Sequence, residues 1–331
     1  MLVLGVETSC DETSAGVVRD GNEIISNIIL SQEIHERYGG VVPEIASRIH
    51  ITELTGIIDK ALSEAHINIG DLDGLAVTHG PGLVGCLLVG LSFVKSVHLA
   101  TGIPFYGVNH LEGHIFAGKL EHADLKTPHI ALVASGGHSN LYIVEDWGKY
   151  KLLGSTRDDA PGEAFDKVAK LLGLGYPGGP SIEKESANAN RRFVKLPRAQ
   201  MGKDSYEFSF SGLKTAVSVY LQDKSQEFLR EHRADLAASF QEAAVEVLVS
   251  KTLNAAENLG VKQISVTGGV ARNKRMRELF AERKHADMQI FFPSPELCTD
   301  NGAMVSACGA FHLARGEKSN LDLNAIPYLE L

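Results

Sequence analysis

Cysteine is scarce in this chain, and its spacing indicates neither a disulfide framework nor a thiolate metal site. The four cysteines among 331 residues, Cys10, Cys86, Cys298 and Cys308, include no C-x-x-C pair. Four thiols scattered over a chain of this length are typical of reduced intracellular cysteines. We therefore expect no disulfide.

The sequence also lacks an export signal and a long apolar run. Its apolar start, residues 1–6, has no basic lead and stops at Glu7. The longest apolar stretch, residues 83–94, is rich in glycine and ends at Lys95. It is shorter than the roughly 20 residues that a membrane-spanning helix needs. We predict a buried helix there, a cytoplasmic protein and no membrane partner.

Positive charge is in deficit, because 32 basic side chains face 41 acidic ones and the net charge is −9. This balance excludes a protein that coats nucleic acid nonspecifically. Two local clusters depart from it: Arg191, Arg192, Lys195, Arg198 and Lys203, followed by Tyr206, Phe208 and Phe210, and then Arg272, Lys274, Arg275 and Arg277. Basic and aromatic side chains together suit RNA, and cations at a helix start suit an anion. A solvated face explains each cluster equally well.

What the chain does contain is an alternation of strand and helix patterns, which is typical of a layered α/β protein. Three strands in meander are predicted at residues 2–8, 15–19 and 23–30, then a helix at 44–65, a strand at 74–78 and a helix at 83–100. The same order restarts with strands at 130–134, 140–144 and 150–154. A later strand at 263–267 resembles 74–78, since each runs through threonine into a glycine turn. The chain is thus predicted to be two related halves.

Two such halves, with mixed sheets flanked by helices and a central cleft, describe the actin, hexokinase and Hsp70 type of nucleotide-binding fold. We place a first lobe at residues 1–126 and a second at 127–299, with an inserted helical and basic segment near 181–235. Residues 300–331 form a C-terminal helix and tail that we expect to pack towards the first lobe. Turns at 7–11 and 135–138 would hold phosphate oxygens.

His110 and His114 form the most informative local pattern, because two histidines four residues apart on a helix point the same way. A strand at 104–109 precedes them, so the pair would lie at a strand's carboxyl end. A catalytic divalent site usually takes three protein ligands, and Asp300 is the best candidate for the third. The zinc-peptidase pattern needs a glutamate directly after the first histidine, where this chain has Leu111, so a metalloprotease is a weak alternative.

Nine short motifs follow one another along the chain. They are Gly5-Val-Glu-Thr-Ser-Cys-Asp-Glu-Thr13, Gly39-Gly-Val-Val-Pro-Glu44, Gly80-Pro-Gly82, Asn109-His-x-x-x-His114, Ser135-Gly-Gly-His138, Gly162-Glu-Ala-Phe-Asp166, Gly175-Tyr-Pro-Gly-Gly-Pro180, Thr267-Gly-Gly-Val270 and Cys298-Thr-Asp-Asn301. In these motifs the chain resembles the bacterial TsaD family, and the similarity runs from about residue 1 to residue 328. Members of that family are tRNA N6-adenosine threonylcarbamoyltransferases, formerly labelled sialoglycoprotein endopeptidases.

The resemblance implies a set of site residues. His110, His114 and Asp300 match metal ligands for one divalent ion, iron or zinc, and Asp11 matches an acidic residue implicated in the reaction. The positions that match contacts to a nucleotide-like substrate are Val133, Ala134, Ser135, Gly136, Gly137, Asp166, Gly179 and Asn273. The chain departs from the family pattern at Glu183, Ala134 and Arg272, which leaves fine substrate contacts open.

The implied reaction moves the threonylcarbamoyl group of threonylcarbamoyl-AMP onto N6 of adenosine 37, in tRNAs that read codons beginning with adenine. Implied partners are tRNA, a shorter related subunit of the TsaB type, which contacts helices of the amino-terminal domain, and a small ATPase of the TsaE type. Two other classes stay open: a kinase or ATPase of the same fold, and a non-catalytic assembly subunit.

Overall fold

The first sheet combines a three-stranded meander with two parallel strands. The computed structural model describes residues 1–199 and 205–331. The strands are β1 (Leu2–Glu7), β2 (Glu12–Arg19), β3 (Glu23–Ser31), β4 (Gly74–Gly80) and β5 (Phe105–Asn109), in the order β3-β2-β1-β4-β5. Strands β1, β2 and β3 pair antiparallel, whereas β4 and β5 run parallel to β1. Parallel strands need crossover connections, which are supplied here by helices.

Helices form these crossovers because their sequences place apolar residues on one face. They are α1 (Pro43–Glu64), α2 (Val84–Thr101) and α3 (His110–Glu121), with 3-10 turns at Glu33–Tyr38 and Ile69–Asp71. Pro43 stands at the start of α1, where its missing N–H costs nothing. Ala46, Leu54 and Ile58, which are eight and four residues apart and so lie on one face of the helix, are buried.

The second sheet repeats the arrangement of the first. Its strands are β6 (His129–Ala134), β7 (Ser139–Asp146), β8 (Lys149–Ser155), β9 (Gln263–Thr267) and β10 (Gln289–Phe291), in the order β10-β9-β6-β7-β8. Its helices are α4 (Pro161–Leu171), α5 (Gly178–Glu185), α6 (Ser211–Leu221), α7 (Gln226–Asn258) and α8 (Lys274–Arg283), with a 3-10 turn at Gly269–Arg272. The antiparallel meander β6–β8 and the parallel strands β9 and β10 match β1–β3 and β4–β5 one for one.

The chain returns to the first sheet at its end. Short helix α9 (Pro295–Cys298) leads into α10 (Gly302–Ala314). By contacts the chain divides into two compact units, Met1–Asp124 with Glu296–Leu331, and Leu125–Pro295. Helix α10 joins the first unit through hydrogen bonds from the Ser306 hydroxyl to the Val3 carbonyl, 2.6 Å, and from the Gly302 N–H to Ser14 Oγ, 2.8 Å.

Each unit has an apolar core of its own. In the first unit Val6, Val17, Leu75 and Phe105 are fully buried between the sheet and the helices. In the second unit, Phe165 of α4 meets Phe240 of α7 edge to face, with ring centroids 5.0 Å apart. Paired rings of this kind add to the stability that burial provides.

Helix α2 differs from the buried helix that the sequence predicts at residues 83–94. Its bounds agree within one residue with the helix predicted at 83–100, but only 28% of its 18-residue window is buried, although the window has a mean hydropathy of 1.6. By length and composition alone it is apolar enough to cross a membrane. The buried residues, among them Cys86, Leu87, Leu91 and Val94, form one face. The prediction was wrong for the opposite face, because burial depends on which neighbours pack there.

Candidate functional site

The two predicted imidazoles, those of His110 and His114, lie in the first turns of α3, which begins directly after β5 ends. Asn109 ends the strand, and its Oδ1 accepts hydrogen bonds from the backbone N–H groups of Leu111, 2.9 Å, and Glu112, 3.4 Å. This is the N-cap arrangement that fixes where a helix begins. His110 and His114 therefore occupy successive turns, and their rings meet edge to face with centroids 4.7 Å apart.

Asp300 comes from the other end of the sequence and joins the pair. Its Oδ1 lies 3.1 Å from His114 Nε2 and 3.5 Å from His110 Nε2. One ligand atom from each of the three residues lies within 4.8 Å of the others. Asp300 precedes Asn301, whose Oδ1 caps α10 by accepting from the Met304 N–H at 2.9 Å. The three residues proposed from the sequence are thus brought together by two capped helix starts.

The donor set fits a divalent cation by its chemistry. Two imidazoles and one carboxylate, with further positions open, are a ligand set used for catalytic zinc and for non-haem iron. Glu7 supplies the outer support that such sites share: its Oε2 lies 3.1 Å from His110 Nδ1, on the opposite side of the ring from Asp300. Glu7 is itself fixed, since it accepts from the Thr78 hydroxyl and the Ser9 N–H, each at 2.6 Å.

The electrostatics of this group favour a positive charge at its centre. Burial alone would lower the pKa of His110, but Asp300 and Glu7 outweigh burial and raise that pKa to about 9. Desolvation raises the pKa of Glu12, and neighbouring Asp11 and Asp300 raise it further. Four carboxyl groups, those of Glu7, Asp11, Glu12 and Asp300, therefore interact here, and a cation among them would reduce their mutual repulsion.

The hairpin turn that carries Asp11 is held by a buried polar network, which the sequence did not reveal. His50 of α1 places Nε2 2.9 Å from the Cys10 carbonyl and Nδ1 2.8 Å from Thr13 Oγ1. Gln32 connects His50 to His35, whose Nε2 lies 3.0 Å from Gln32 Oε1. His50 carried no signal in the sequence beyond its place on the apolar face of a helix.

Glu112 lies between the two candidate ligands in the sequence but faces a different neighbour. Its Oε1 lies 3.0 Å from His312 Nε2, and the other ring nitrogen of His312 lies 2.6 Å from Glu317 Oε2. Together with Cys308 these groups resemble a second metal cluster. Because both nitrogens of His312 already meet carboxylates, we interpret the group as an ion-paired link between α3 and α10. The metalloprotease alternative therefore has no general base at position 111 or 112.

A cavity of about 740 Å³ lies within the second unit. It is lined by apolar and small residues such as Phe165, Gly179, Pro180 and Val270, by Gln241 and Asn273, by the acids Glu183 and Glu278, and by the cations Lys184, Arg191, Arg272, Lys274 and Arg275. Its volume is in the range of small-molecule and cofactor sites. A cavity with apolar walls and several cations is suited to an anionic ligand with an aromatic part.

The predicted substrate contacts fall into three groups. Gly179 and Asn273 line the cavity. Val133 and Ala134 are fully buried in β6 and Ser135 is buried, whereas Gly136 and Gly137 form an exposed turn. Asp166 lies outside the cavity lining, and its Oδ1 accepts the Gly178 N–H at 2.7 Å, which holds the glycine loop before α5. Their roles toward substrate stay predictions.

Several side chains of the basic clusters form ion pairs with acidic side chains, two of which belong to α7. Arg198 lies 2.8 Å from Glu246 of α7. Arg275 is buried, with its guanidinium 2.6 Å from Glu242 and 2.7 Å from Glu282. Arg198 and Arg275 thus form ion pairs with α7, and whether the clusters contact RNA or an anion stays a prediction. Lys203, which the first cluster also contains, lies outside the described residues.

Comparison of the sequence with known protein families identifies one that matches most of the chain. A profile of the family TsaD, tRNA N6-adenosine threonylcarbamoyltransferase, matches residues 23–307. The chain belongs to the TsaD family. A protein named tRNA N6-adenosine threonylcarbamoyltransferase from Syntrophotalea carbinolica is 52% identical over 98% of this chain and 95% of its own length. One of the same name from Caldicellulosiruptor saccharolyticus is 49% identical over 100% of this chain and 98% of its own. The predicted family and tRNA-modifying transferase class are confirmed.

Solved structures show the same fold at low sequence identity. The HypF protein of T. kodakarensis aligns with a TM-score of 0.64 at 15% identity, covering 97% of the TsaD chain and 48% of HypF. Component A of (R)-2-hydroxyglutaryl-CoA dehydratase from Acidaminococcus fermentans aligns with a TM-score of 0.56 at 15% identity, covering 95% of the TsaD chain and 99% of component A. These similarities confirm the predicted actin, hexokinase and Hsp70 type of fold.

Proposed function

We propose that this chain transfers the threonylcarbamoyl group of threonylcarbamoyl-AMP to N6 of adenosine 37, in tRNAs that read codons beginning with adenine. In the reaction the bond between N6 and the carbamoyl carbon forms, the bond between that carbon and the phosphate oxygen breaks, and AMP leaves. The observation that carries the proposal is the convergence of His110, His114 and Asp300 in a chain of this family.

His110, His114 and Asp300 would hold one divalent cation per subunit, with iron(II) as the first candidate and zinc as the second. Bound there, such a cation supplies a chelating centre for the threonyl part and Lewis-acid polarisation of the carbamoyl carbonyl. Glu7 keeps the His110 ring in the orientation that leaves Nε2 towards Asp300. This outer support explains why a carboxylate is fully buried at the end of β1.

Asp11 is the proposed acceptor of the proton that leaves N6. An aromatic amine is a poor nucleophile, so a positioned base is needed as the new bond forms. Asp11 is half-buried in the turn between β1 and β2, where His50 holds the preceding Cys10 carbonyl. Its carboxyl interacts with the carboxyl of Glu12 and with the thiol of Cys10, which belong to the same turn.

The cavity of the second unit is the proposed site for the AMP portion. Arg191, Arg272 and Lys274 line it and match the charge of a phosphate, while Phe165 and Val270 offer apolar surface to adenine. Asn273 is held in place, because its Oδ1 caps α8 through the Met276 N–H and its Nδ2 donates to Gln241 Oε1 at 2.8 Å. The exposed glycine turn at 136–137 leaves backbone N–H groups accessible to phosphate.

The apolar outer face of α1 and α2 is the proposed contact for a shorter related subunit of the TsaB type. Ile51 of α1 is 66% exposed, and Val84 and Leu88 of α2 are 50% and 42% exposed. The two helices touch where Gly85 of α2 lies against Ser47 of α1. An apolar patch of this kind marks a protein interface. A small ATPase of the TsaE type completes the proposed assembly.

The test is mass analysis of tRNA nucleosides after incubation of unmodified tRNA with threonylcarbamoyl-AMP, the divalent metal and both partner subunits. We expect threonylcarbamoyladenosine with the wild type and at least about a 100-fold lower rate with His114→Ala, because the metal contributes several kcal/mol to the transition state. His285→Ala, at an exposed imidazole, is the matched control. Full activity of His114→Ala would refute the metal assignment.

Two further measurements test the role of Asp11 and the kinase alternative. Asp11→Asn keeps the size of the side chain and removes its basicity, so we expect transfer to fall by about 100-fold or more while metal content is unchanged. Unchanged transfer would show that another group takes the proton. Rapid ATP turnover by the chain without carbamoyl donor or tRNA would favour the kinase class over the transferase.

A further inference from the structure

The last residues of the chain lie along the ends of β4 and β5 without forming a helix or a strand. We call residues 319–331 the C-terminal strap. Its polar contacts begin at Ser319, whose N–H donates to the Phe105 carbonyl at 2.8 Å and whose Oγ accepts the Gly107 N–H at 3.0 Å. Lys95 of α2 donates to the Leu323 carbonyl. The strap is therefore attached to the first sheet by hydrogen bonds from several elements.

Glycines in the sheet make room for this close approach. A Cβ on Gly107 would lie 2.4 Å from Leu323 Cδ2, and one on Gly80 would lie 2.1 Å from the Ile326 carbonyl oxygen. No side chain fits at such distances, so the backbone of β4 and β5 is in direct contact with the strap. The Ile326 N–H also donates to the His79 carbonyl at 2.8 Å, which satisfies a strand-end acceptor.

Two routes lead from the strap to His110. In the first, the Asn109 side chain donates from Nδ2 to the Glu330 carbonyl at 3.2 Å. This bond fixes which way the amide faces, so that Oδ1 is directed to the N–H groups of α3. Asn109 directly precedes His110, and the orientation of the cap sets the direction in which the first turn of the helix starts.

The second route runs through the turn after β4. The Gly82 N–H donates to the Pro327 carbonyl at 3.1 Å, and the next residue, Leu83, donates its N–H to the Ser9 carbonyl at 2.8 Å. Ser9 Oγ in turn lies 3.3 Å from His110 Nδ1. The strap thus contacts both the residue that caps α3 and the turn that holds a neighbour of the His110 ring.

We propose that the C-terminal strap is a positioning element that sets the orientation of His110 and, through it, the affinity of the first unit for a divalent cation. This proposal rests on the proposed function only in taking His110, His114 and Asp300 as the metal ligands. Groups that orient a metal-binding imidazole from outside typically change metal affinity by about 10- to 100-fold.

The experiment measures zinc affinity by competition with a chromogenic chelator, using the full chain and a variant that ends at Pro327. The truncation removes the Glu330 carbonyl and keeps Ile326 and Pro327 in place. We expect zinc to bind the shortened chain at least about tenfold more weakly. Tyr328→Ala is the matched control, because that side chain is 92% exposed and should leave the affinity unchanged. Equal affinity of the full and shortened chains would overturn the proposal.

Asn109→Ser in the full chain is the second variant and decides the matter if the truncated chain fails to fold. Serine still caps the helix but cannot reach the Glu330 carbonyl, so the zinc affinity should fall by a similar factor. A chain that carries both the truncation and Asn109→Ser should bind zinc no more weakly than either single variant, because both changes remove the same hydrogen bond. If Asn109→Ser binds zinc as tightly as the wild type, the route through Asn109 is wrong.

Transfer activity, measured in parallel, separates this proposal from the proposed function. Weaker zinc binding by the variants of a chain that carries out no transfer would support the strap and refute the function. Normal transfer with unchanged zinc affinity in every variant would support the proposed function and refute the strap proposal. A full chain that binds no divalent cation would overturn the strap proposal and the metal assignment, whatever its transfer activity.

Discussion

At the scale of single residues, Glu7 connects the core of the first unit to the candidate metal group. It is fully buried, yet it ends a strand whose other side chains are almost all apolar. Burial opposes its ionisation, but His110 lowers the pKa of Glu7, so a buried carboxylate and a buried imidazolium stabilise each other. Removing only one member of such a pair leaves the other charge uncompensated.

We therefore predict that Glu7→Gln weakens metal retention by about 10- to 100-fold. Glutamine keeps the length of the side chain but offers His110 no negative charge. The measurement is the zinc or iron content that remains after dialysis against a chelator of increasing concentration. Glu53→Gln, at an exposed position on α1, is the control. The same retention in Glu7→Gln and wild type would show that Glu7 does not support the ligand.

His129 makes the stability of the second unit depend on pH. Burial lowers the pKa of His129 to about 4, and the bond of its Nδ1 to the Lys126 carbonyl only partly offsets this. In the unfolded chain the pKa of a histidine is about 6.5. The unfolded state therefore binds the proton first as the pH falls, so this contribution is fully present above about pH 6.5 and is lost between there and about pH 4.

The expected result is that His129→Asn loses less stability than the wild type over this interval. The difference in slope should reach at most about 1.4 kcal/mol per pH unit. Asparagine can still donate to the Lys126 carbonyl but does not titrate. The midpoint of thermal unfolding, followed between pH 4 and 7, measures the effect. Parallel pH profiles for the two proteins would rule out His129 as its source.

At the scale of elements, the first unit depends on glycines that let α10 approach β1 and β2. A Cβ on Gly5 would lie 2.2 Å from the Gly302 carbonyl oxygen, and one on Gly16 would lie 2.5 Å from the Ala303 nitrogen. The start of α10 follows Asp300 directly, so this close packing also fixes the third candidate ligand relative to the sheet. A methyl group at either strand position would push the helix outward.

Gly16→Ala is expected to lower the free energy of unfolding of the first unit by about 1–3 kcal/mol, because the added carbon overpacks a backbone contact. Gly56→Ala is the matched control, for which we expect a change in stability of the opposite sign. It lies within α1 with no atom in reach of the new methyl group, and it should raise the stability by about 0.5–1 kcal/mol. Chemical denaturation with zinc-free protein measures both. A stable Gly16→Ala variant would mean that α10 can shift without cost.

At the scale of the whole molecule, the exposed apolar face of α1 and α2 predicts assembly. Leu88 lies on the part of α2 that the core leaves open, where it is 42% exposed. Leu88→Asp should weaken binding of the shorter related subunit by more than tenfold, because a charge would be buried in the interface. Metal content should stay the same, since the Leu88 side chain is exposed and no contact joins it to the ligands among the described residues.

Titration calorimetry with the purified partner measures this effect. Val219→Asp is the control: Val219 is a 55% exposed apolar side chain on α6, in the other unit. Equal partner affinity for Leu88→Asp and Val219→Asp would show that the α1–α2 face is not the contact surface.

The sequence by itself determined the element order and the identity of the imidazole pair. The succession of strand-like and helical segments marked β1 to β3 and β6 to β8, and the glycine turns after residues 78 and 267 marked the repeat. The short strand β10 was not predicted. These signals are local, because strand and helix periodicity and the spacing of His110 and His114 follow from backbone geometry alone. The bounds of the strands accordingly differ from the predicted ones by only a few residues.

Only the tertiary structure decided how charges and polar groups are paired. It pairs Glu7 of β1 with His110 of α3, and Glu242 of α7 with Arg275 of α8. It also places Asp300, which the sequence proposed as a ligand without showing its position, 3.1 Å from His114. It also exposed the face of α2 that the sequence predicts as buried. Charge pairing and burial depend on which elements pack side by side, and no property of a residue or its sequence neighbours encodes that.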